Sequence, residues 1–279
     1  MPINWFPGHM VGARREIEEN MKLVDLVLML LDARAPFSCR NRQLERMAKG
    51  KTLLYVLNKA DLANPEATKR YIRQLKQEGF AAAAMDSTGG RGKQEVLNLA
   101  RQLYTEKAEA MKNRGRRVRP ARIMVAGVPN VGKSTFLNCL VGKKSAATGN
   151  KPGVTRGKQW VRVLDDMELL DTPGLMWPKV ETDEQGYKLA LLNIVGEKAY
   201  QEYDAACFLA RHLRENCPKE VEKQLGAEAN EGHYEELLVL LAKKRGYLNH
   251  GAQPDLEKAA HNLLQDFRRG KWGRISLDG

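Results

Sequence analysis

The stretch Gly127-Val128-Pro129-Asn130-Val131-Gly132-Lys133-Ser134 decides the fold of this 279-residue chain. It has the pattern G-x-x-x-x-G-K-S/T, it follows the apolar run 122–127, and it precedes the helix-like stretch 134–141. In a strand–loop–helix unit the glycines let backbone N–H groups face a phosphate, and the helix N-terminus adds partial positive charge. The stretch therefore predicts a phosphate-binding loop in an α/β fold. The alternative is a glycine-rich turn that matches by chance.

Short apolar runs alternate with helix-like stretches around this loop. The apolar runs are residues 26–32, 52–57, 80–85 and 122–127, and the helix-like stretches are 66–78, 93–111 and 134–141. Runs of this kind, bounded by polar or turn residues, are typical of buried parallel strands. Residues 160–164 and 168–171 predict a hairpin that turns at Asp165-Asp166. We predict a mostly parallel, six-stranded sheet flanked by helices.

The pattern changes after about Pro178. Helices are predicted over residues 187–203, 218–225, 234–245 and 255–269, with no strand between them. In the last of these, the apolar residues have the spacing of one helix face, and Gly270 is placed to end the helix. The sequence therefore predicts two domains, an α/β domain at 1–178 and an all-α domain at 179–279.

The phosphate loop and two later motifs contain groups that can bind the phosphates and the Mg²⁺ ion of a nucleoside triphosphate. Lys133 would reach the β- and γ-phosphates, and the Ser134 hydroxyl would bind Mg²⁺. Asp171, in Asp171-Thr172-Pro173-Gly174, can hold Mg²⁺ through water, and the Gly174 N–H can meet the γ-phosphate. The Thr155 hydroxyl, in Pro152-Gly153-Val154-Thr155, would complete the Mg²⁺ shell only when the γ-phosphate is present. These residues predict a site that distinguishes a nucleoside triphosphate from a diphosphate.

The sequence Asn58-Lys59-Ala60-Asp61, which follows the apolar run 52–57, predicts that the base of the nucleotide is guanine. An Asp at a strand end accepts two hydrogen bonds from guanine N1 and N2, which adenine cannot offer. Asp86-Ser87-Thr88 follows the next strand and places a hydroxyl near guanine O6, although a simple polar turn explains it equally well. The predicted nucleotide-binding residues are Asn58, Lys59, Asp61, Ser87, Asn130, Val131, Gly132, Lys133, Ser134, Thr135 and Gly174.

The order of these motifs is reversed from that of ordinary GTPases. The guanine-binding motifs come first and the phosphate motifs follow, in the order G4-G5-G1-G2-G3, so a circularly permuted P-loop G domain is the simplest account. The sequence resembles the circularly permuted GTPases of bacterial ribosome assembly over essentially its whole length. The resemblance is carried by Trp5-Phe6-Pro7-Gly8-His9-Met10, Asp32-Ala33-Arg34-Ala35-Pro36, Asn58-Lys59-Ala60-Asp61, the phosphate loop, Pro152-Gly153-Val154-Thr155, Asp171-Thr172-Pro173-Gly174 and Arg268-Arg269-Gly270-Lys271-Trp272-Gly273-Arg274.

The resemblance implies a function. It implies a GTP-hydrolysing factor for late maturation of the large (50S) ribosomal subunit, one that binds ribosomal RNA and ribosomal proteins and is released after hydrolysis. Two alternatives remain open on the residues alone. One is a GTP-dependent scaffold that binds RNA or protein, and the other is a stand-alone regulatory GTPase.

The residue that orients the attacking water is not obvious. Many GTPases have Gln directly after the D-x-x-G glycine, whereas this chain has Leu175, which can neither donate nor accept a hydrogen bond. We therefore expect slow hydrolysis by the protein alone and stimulation by the ribosome. His9 is one candidate catalytic group, beside Lys133, Thr155 and Gly174, since an imidazole can orient or deprotonate water; a surface histidine is the alternative. Asn130 in the phosphate loop resembles the Asn of potassium-dependent GTPases, which implies a K⁺ ion as the other candidate, unless Asn130 only stabilises the turn.

Charge adds a prediction about partners. The chain has 46 Lys and Arg against 34 Asp and Glu, a net charge of +12, which indicates an anionic partner, most often nucleic acid; a merely solvated basic surface is the equal alternative. Residues 1–179 hold 32 of those cations against 17 acids, and residues 180–279 hold 14 against 17. The cations concentrate in the connector, residues 112–122, and in the tail, residues 268–274, where Trp272 either stacks on a base or packs against helices. The predicted RNA-binding residues are Arg114, Arg116, Arg117, Arg119, Arg268, Arg269, Lys271 and Arg274.

The remaining composition concerns the compartment. The four cysteines are scattered without a C-x-x-C pair, which fits a reducing cytosol. No apolar run approaches the ~18 residues of a membrane span, and no secretory signal is visible. We expect a cytoplasmic monomer that binds GTP or GDP, Mg²⁺ and K⁺.

Overall fold

The computed structural model describes residues 9–142, 160–172, 174–175 and 180–279. For residues 9–11, 13 and 171 the description is limited to the backbone. The chain divides into two compact units, whose described residues lie within 9–175 and 180–279. In the described part, no helix combines the length and the apolar character that crossing a bilayer requires.

The first unit contains six strands and five helices among its described residues. The strands are β1 (Leu26–Asp32), β2 (Thr52–Asn58), β3 (Ala81–Met85), β4 (Ala121–Gly127), β5 (Trp160–Leu164) and β6 (Met167–Asp171). The helices are α1 (His9–Met21), α2 (Arg42–Met47), α3 (Pro65–Gln77), α4 (Lys93–Asn113) and α5 (Lys133–Val141). The predicted strands and the 160–171 hairpin are confirmed to within one residue at each end. The short helix α2 has no counterpart in the sequence prediction, because its six residues are too few to show a helical period.

The strands form one sheet in the order β3-β2-β1-β4-β6-β5. All neighbouring pairs are parallel except β5 and β6, so the predicted mostly parallel sheet is confirmed. Every residue of β1 is buried, as expected for the centre of a sheet covered on both faces. Asp32 pairs with Asn58, and Val125, two residues before the end of β4, pairs with Asp171. The carboxyl ends of the strands that carry the motifs therefore meet at one edge.

Asp25 anchors the connector at the opposite edge of the sheet. Its buried carboxylate accepts two hydrogen bonds from the Arg119 guanidinium, at 2.7 and 2.9 Å, and one from the Arg122 N–H at 3.0 Å. The Lys107 ammonium of α4 lies 2.5 Å from the same carboxylate. Burial alone would raise the pKa of Asp25, but these cationic and N–H donors lower it below its ordinary value. The chain that joins the two permuted halves is thus fixed before β4 begins.

The second unit is helical. Its helices are α6 (Asp183–Leu191), α7 (Glu202–Asn216), α8 (Pro218–Leu225), α9 (Tyr234–Lys244) and α10 (Leu256–Arg268), with 3-10 turns at Glu197–Ala199 and Ala227–Asn230. Over residues 180–279 the β structure is limited to one isolated bridge between Leu248 and Pro254. The predicted apolar face of α10 packs against α7 and α9, and Gly270 ends the helix with φ +74°. The prediction of an all-α second part is confirmed.

The predicted helix over residues 187–203 is wrong. Helix α6 ends at Leu191, because Asn193 adopts a left-handed conformation at φ +58° and the Ile194 N–H returns to the Leu189 carbonyl at 2.9 Å. A second helix, α7, begins at Glu202 and continues to Asn216, through a stretch that the sequence prediction left without structure. An asparagine at a helix end was the available signal.

Candidate nucleotide-binding site

The phosphate loop turns tightly between β4 and α5. Asn130 and Gly132 both have positive φ, +56° and +98°, while the Val128 and Val131 side chains are buried beneath the loop. A Cβ on Gly132 would lie 2.6 Å from Asn58 Nδ2, so only glycine fits there without displacing that side chain. The loop is therefore shaped by its own glycine and by a residue from the other half of the chain.

The start of α5 presents the polar groups that the sequence predicts for phosphate and metal. Lys133 Nζ lies over the loop, 3.0 Å from the Val128 carbonyl oxygen, to which it donates. Ser134 and Thr135 follow it in the first turn and are exposed. Backbone N–H groups in a first helical turn have no partner within the helix. This end of α5 therefore offers an ammonium, two hydroxyls and N–H donors in one place.

Asn58 and Lys59 tie the guanine-side motif to the phosphate loop. The buried Asn58 donates from Nδ2 to the Val131 carbonyl at 3.0 Å and accepts from the Ser87 hydroxyl at 2.6 Å. Lys59 Nζ donates to the Asn130 carbonyl at 2.8 Å. Two motifs that are separated by seventy residues of sequence thus form one bonded surface. Side chains of the predicted guanine motif therefore hold the shape of the predicted phosphate-binding loop.

Asp61 and Ser87 occupy the adjoining turns. The turn that carries Asp61 is closed by hydrogen bonds from Ala60 N–H to the Met85 carbonyl, at 3.1 Å, and from Leu62 N–H to the Lys59 carbonyl, at 3.0 Å. Asp86 closes the loop around Ser87 by accepting from the Gly89 N–H at 2.7 Å. Burial would raise the pKa of Asp86, but this N–H and the nearby Arg91 lower it. The structure thus brings both predicted base-side residues to the same edge of the sheet.

The Asp32-Ala33-Arg34 sequence has a role that sequence reasoning missed. Arg34 donates from Nε and Nη2 to the two Asp32 carboxylate oxygens, at 2.9 and 2.8 Å, and the side chains are 3% and 0% exposed. Lys59 Nζ lies 3.1 Å from the same carboxylate. Burial alone would raise the pKa of Asp32, but the Arg34 and Lys59 charges lower it to about 2. Asp32 therefore stays ionised and holds Lys59 against the phosphate loop. An Asp and an Arg two residues apart after an apolar strand were the signal.

Gly174 lies directly on the phosphate loop. A Cβ there would come 2.9 Å from both N and Cα of Pro129 and 3.0 Å from Lys133 Nζ. The next residue, Leu175, donates its N–H to the Gly127 carbonyl at 3.3 Å and has a buried side chain. The D-x-x-G glycine thus contacts the lysine that is predicted to bind the γ-phosphate, while the residue after it points into the protein.

Three predicted residues fall wholly or partly outside the described part. Thr155 lies outside the described residues. The side chains of His9 and Asp171 also lie outside them, while their backbones begin α1 and end β6. Asp171 pairs with Val125 in the neighbouring strand, which brings its backbone to the phosphate-loop edge.

The predicted RNA-binding residues separate into two groups. Arg119 is paired with Asp25, Lys271 lies 2.8 Å from Asp266, and Arg268 donates to the Leu191 and Ala190 carbonyls at the end of α6. Trp272 is buried in the helical unit, so packing, not base stacking, accounts for it. Exposure is shared by Lys271 and five further residues of the set: Arg114, Arg116, Arg117, Arg269 and Arg274.

Known proteins match this chain over its whole length. A family model described as "50S ribosome-binding GTPase" matches residues 122–244. Ribosome biogenesis GTPase A of Priestia megaterium is 37% identical over 279 residues, which cover 100% of this chain and 97% of that protein. The protein of the same name from Bacillus licheniformis is 39% identical over 278 residues, covering 100% and 98%.

Solved structures also match this chain over most of its length. The GDP-bound structure of YlqF has a TM-score of 0.65 at 25% identity, covering 95% of this chain and 98% of that one. The GNP-bound YlqF from Thermotoga maritima has a TM-score of 0.63 at 26% identity, covering 96% and 97%. The sheet and the helices of the two units therefore occur together in solved guanine-nucleotide complexes.

Proposed function

Because the chain belongs to the ribosome biogenesis GTPase A family, a family of GTP-hydrolysing ribosome assembly factors, we propose that it acts late in maturation of the large (50S) ribosomal subunit. It binds the precursor through ribosomal RNA and ribosomal proteins, and it leaves after hydrolysis. We further propose that it works as a monomer in the cytoplasm. The family membership carries the proposal, and it is supported by the bonds from Asn58 and Lys59 that join the predicted guanine motif to the phosphate loop.

The site residues have separate tasks toward GTP. Asp61 accepts hydrogen bonds from the guanine N1 and N2 groups, Lys133 contacts the β- and γ-phosphates, and the Gly174 N–H meets the γ-phosphate. The Ser134 hydroxyl at the exposed start of α5 and the carboxylate at the end of β6, Asp171, are oxygen donors of the kind that Mg²⁺ prefers. Together with Thr155 they would hold the ion, which neutralises charge on the phosphate oxygens when it is bound.

We propose that a residue other than Leu175 orients the attacking water. Leu175 is apolar and buried, so it cannot orient a water molecule. His9 is the proposed orienting group, since a neutral imidazole accepts a proton from water near physiological pH. A K⁺ ion at Asn130 is the proposed source of additional positive charge toward the transition state.

We expect hydrolysis to be stimulated by large ribosomal subunits and to be faster in K⁺ than in Na⁺. In His9→Ala the stimulated rate should fall by about 10²–10⁴-fold, while GDP affinity stays unchanged. Phosphate release is measured with and without purified large subunits, in each salt. The control is His250→Ala, which removes an exposed histidine from the second unit.

Each component of the proposal has its own contradicting outcome, in phosphate release, in co-sedimentation or in cells. A normal stimulated rate in His9→Ala removes the histidine, and equal rates in the two salts remove K⁺. A stand-alone regulatory GTPase would show neither stimulation nor co-sedimentation with large subunits. A scaffold would keep its function in cells when Asp171 is replaced and hydrolysis stops.

RNA contact is proposed to run along the connector. Arg114, Arg116 and Arg117 are exposed beside the point where Asp25 anchors Arg119, so their position on the surface is fixed at one end. Replacing all three by alanine should weaken binding to large-subunit RNA and reduce the slope of log affinity against log salt by about 2–3. Filter binding over a salt series measures both quantities.

A matched control is available on α3. Arg70, Arg73 and Lys76 are exposed there, and replacing these three removes the same charge from a different face. The connector variant should lose more affinity than the α3 variant. Equal losses would show that only net charge matters, and an unchanged slope would remove the connector from the RNA interface.

A further inference from the structure

The buried side chain of Asn41 joins two parts of the nucleotide domain. Asn41 is 2% exposed and stands at the N-terminus of α2. Its Oδ1 accepts hydrogen bonds from the Gln43 and Leu44 N–H groups, at 3.0 and 3.2 Å. Its Nδ2 donates to the Leu175 carbonyl at 2.9 Å, directly after the D-x-x-G glycine. One side chain thus caps a helix and holds the segment that contacts the phosphate loop.

The orientation of this amide is fixed by its partners. Two backbone N–H donors require an oxygen on one side, and a carbonyl acceptor requires the NH₂ on the other. Rotating the amide by 180° would place its NH₂ against the two backbone N–H groups and its oxygen against the Leu175 carbonyl. Asn41 therefore holds the Leu175 carbonyl only as a donor, and an acceptor in that position would repel it.

The Leu175 backbone is held on both sides. Its N–H donates to the Gly127 carbonyl at 3.3 Å, its carbonyl accepts from Asn41, and its side chain is buried. The preceding residue, Gly174, is confined between these bonds and the loop, because a Cβ on it would lie 2.9 Å from the Pro129 backbone. The position of Gly174 against the loop is therefore limited by how the Leu175 backbone is held.

The segment that carries Asn41 also contacts the guanine side. It begins at Asp32, whose carboxylate lies 3.1 Å from Lys59 Nζ, and Lys59 in turn donates to the Asn130 carbonyl. Residues 32–41 thus bond to the guanine-side motif at one end and to the D-x-x-G segment at the other. A short stretch outside the nucleotide-binding motifs holds both sides of the site in register.

We infer that Asn41 is a positioning residue for recognition of the γ-phosphate. By holding the Leu175 carbonyl, it keeps the Gly174 N–H directed at the position of the terminal phosphate. GDP has no group at that position, so Asn41 contributes to the binding of GTP and not to the binding of GDP. The inference rests on the γ-phosphate contact proposed for Gly174.

The test compares two variants that keep the helix cap. Asn41→Asp retains an oxygen for the α2 N–H groups but places a carboxylate against the Leu175 carbonyl. Asn41→Ser retains a capping oxygen but loses the amide NH₂ group that donates to that carbonyl. Affinities for GDP and for a non-hydrolysable GTP analogue are measured by titration calorimetry. We expect Asn41→Asp to weaken the GTP analogue at least tenfold relative to GDP, and Asn41→Ser to shift the same ratio in the same direction by less. The kcat for GTP hydrolysis should fall in both variants, and more in Asn41→Asp than in Asn41→Ser.

Asn64→Asp is the matched control. Asn64 caps α3 in the same way, accepting from the Glu66 and Ala67 N–H groups at 3.0 Å, and it is exposed. Its replacement should leave the ratio of affinities unchanged. An unchanged ratio in both Asn41 variants, or an equal loss of GDP and GTP-analogue binding, would overturn the inference and leave Asn41 as a helix cap. Gly174→Ala tests the proposed function separately. If it also leaves the ratio of GTP-analogue to GDP affinity unchanged, the proposed contact between Gly174 and the γ-phosphate is wrong. If it changes this ratio and the Asn41 variants do not, only the inference about Asn41 is wrong.

Discussion

Replacing Asp32 by asparagine is expected to lower the free energy of unfolding by about 3–5 kcal/mol. The substitution leaves the Arg34 guanidinium buried without the carboxylate that now accepts two hydrogen bonds from it. It also removes the counter-charge of Lys59, so the phosphate loop loses a support and GDP affinity should fall too. Urea unfolding measures the change through the midpoint, provided that the slope stays constant.

The control for this prediction is Asp165→Asn. Asp165 lies 3.6 Å from Arg162, but its side chain is fully exposed, and surface pairs of this kind contribute about 0–1 kcal/mol. Removing both charges of the buried pair, in D32N with Arg34→Met, should recover part of the loss, because position 34 then no longer holds an uncompensated buried charge. A D32N protein within 1 kcal/mol of the wild type would contradict the role assigned to the pair.

The same carboxylate predicts a dependence on pH. Its pKa is lowered from the ordinary value of 3.8 to about 2 in the folded protein, so the folded state binds this proton less readily than the unfolded chain. The stabilisation from Asp32 is therefore fully present above about pH 4, and it is lost as the pH falls towards 2. Wild-type stability should decline over this interval more steeply than that of D32N.

Gly174→Ala is expected to lower kcat for GTP by at least about 10²-fold, the scale on which loss of one preorganised N–H donor acts. The added Cβ would lie 2.9 Å from the Pro129 backbone and 3.0 Å from Lys133 Nζ, and backbone atoms of a tight loop cannot retreat as a flexible side chain can. The D-x-x-G segment must therefore move away from the γ-phosphate. Phosphate release in single-turnover conditions measures the effect.

GDP binding separates this effect from unfolding. Since GDP has no γ-phosphate, Gly174→Ala should bind it within a few-fold of the wild type. Gly12→Ala is the control, because a Cβ on Gly12 meets no atom of the described residues within 4 Å. A Gly174→Ala protein with normal kcat would contradict the placement of this glycine in the reaction.

Much of the fold was predictable because local patterns carried it. The apolar runs that became β1 and β4 lie at the centre of the sheet, where both faces are buried and no polar alternation is needed. The phosphate loop was also predictable from a local pattern, because the spacing of Gly132 and Lys133 along the chain identifies it. These features depend on neighbours within a few residues.

The features that were missed depend on distant residues. Asn41 and Leu175 are 134 positions apart, and neither belongs to a pattern that names the other. Arg268 looks like an RNA-binding cation in the sequence, yet it donates to the carbonyls that end α6, because composition does not reveal what lies beside a side chain. Helix α7 was missed where Asn193 broke an apparently continuous helical pattern.

The pairing of β1 with β4 has a consequence for the order of events during synthesis. β1 ends at Asp32, but its second neighbour begins only at Ala121, so a nascent chain exposes one edge of its most apolar strand until the connector and β4 have emerged. Until then the Asn58 side chain also lacks Val131 as a partner. The turns that are predicted to bind the base are therefore synthesised first, and the predicted nucleotide site is complete only when β4 closes the sheet. We therefore expect a nascent chain to hold GTP only after both permuted halves have left the exit tunnel.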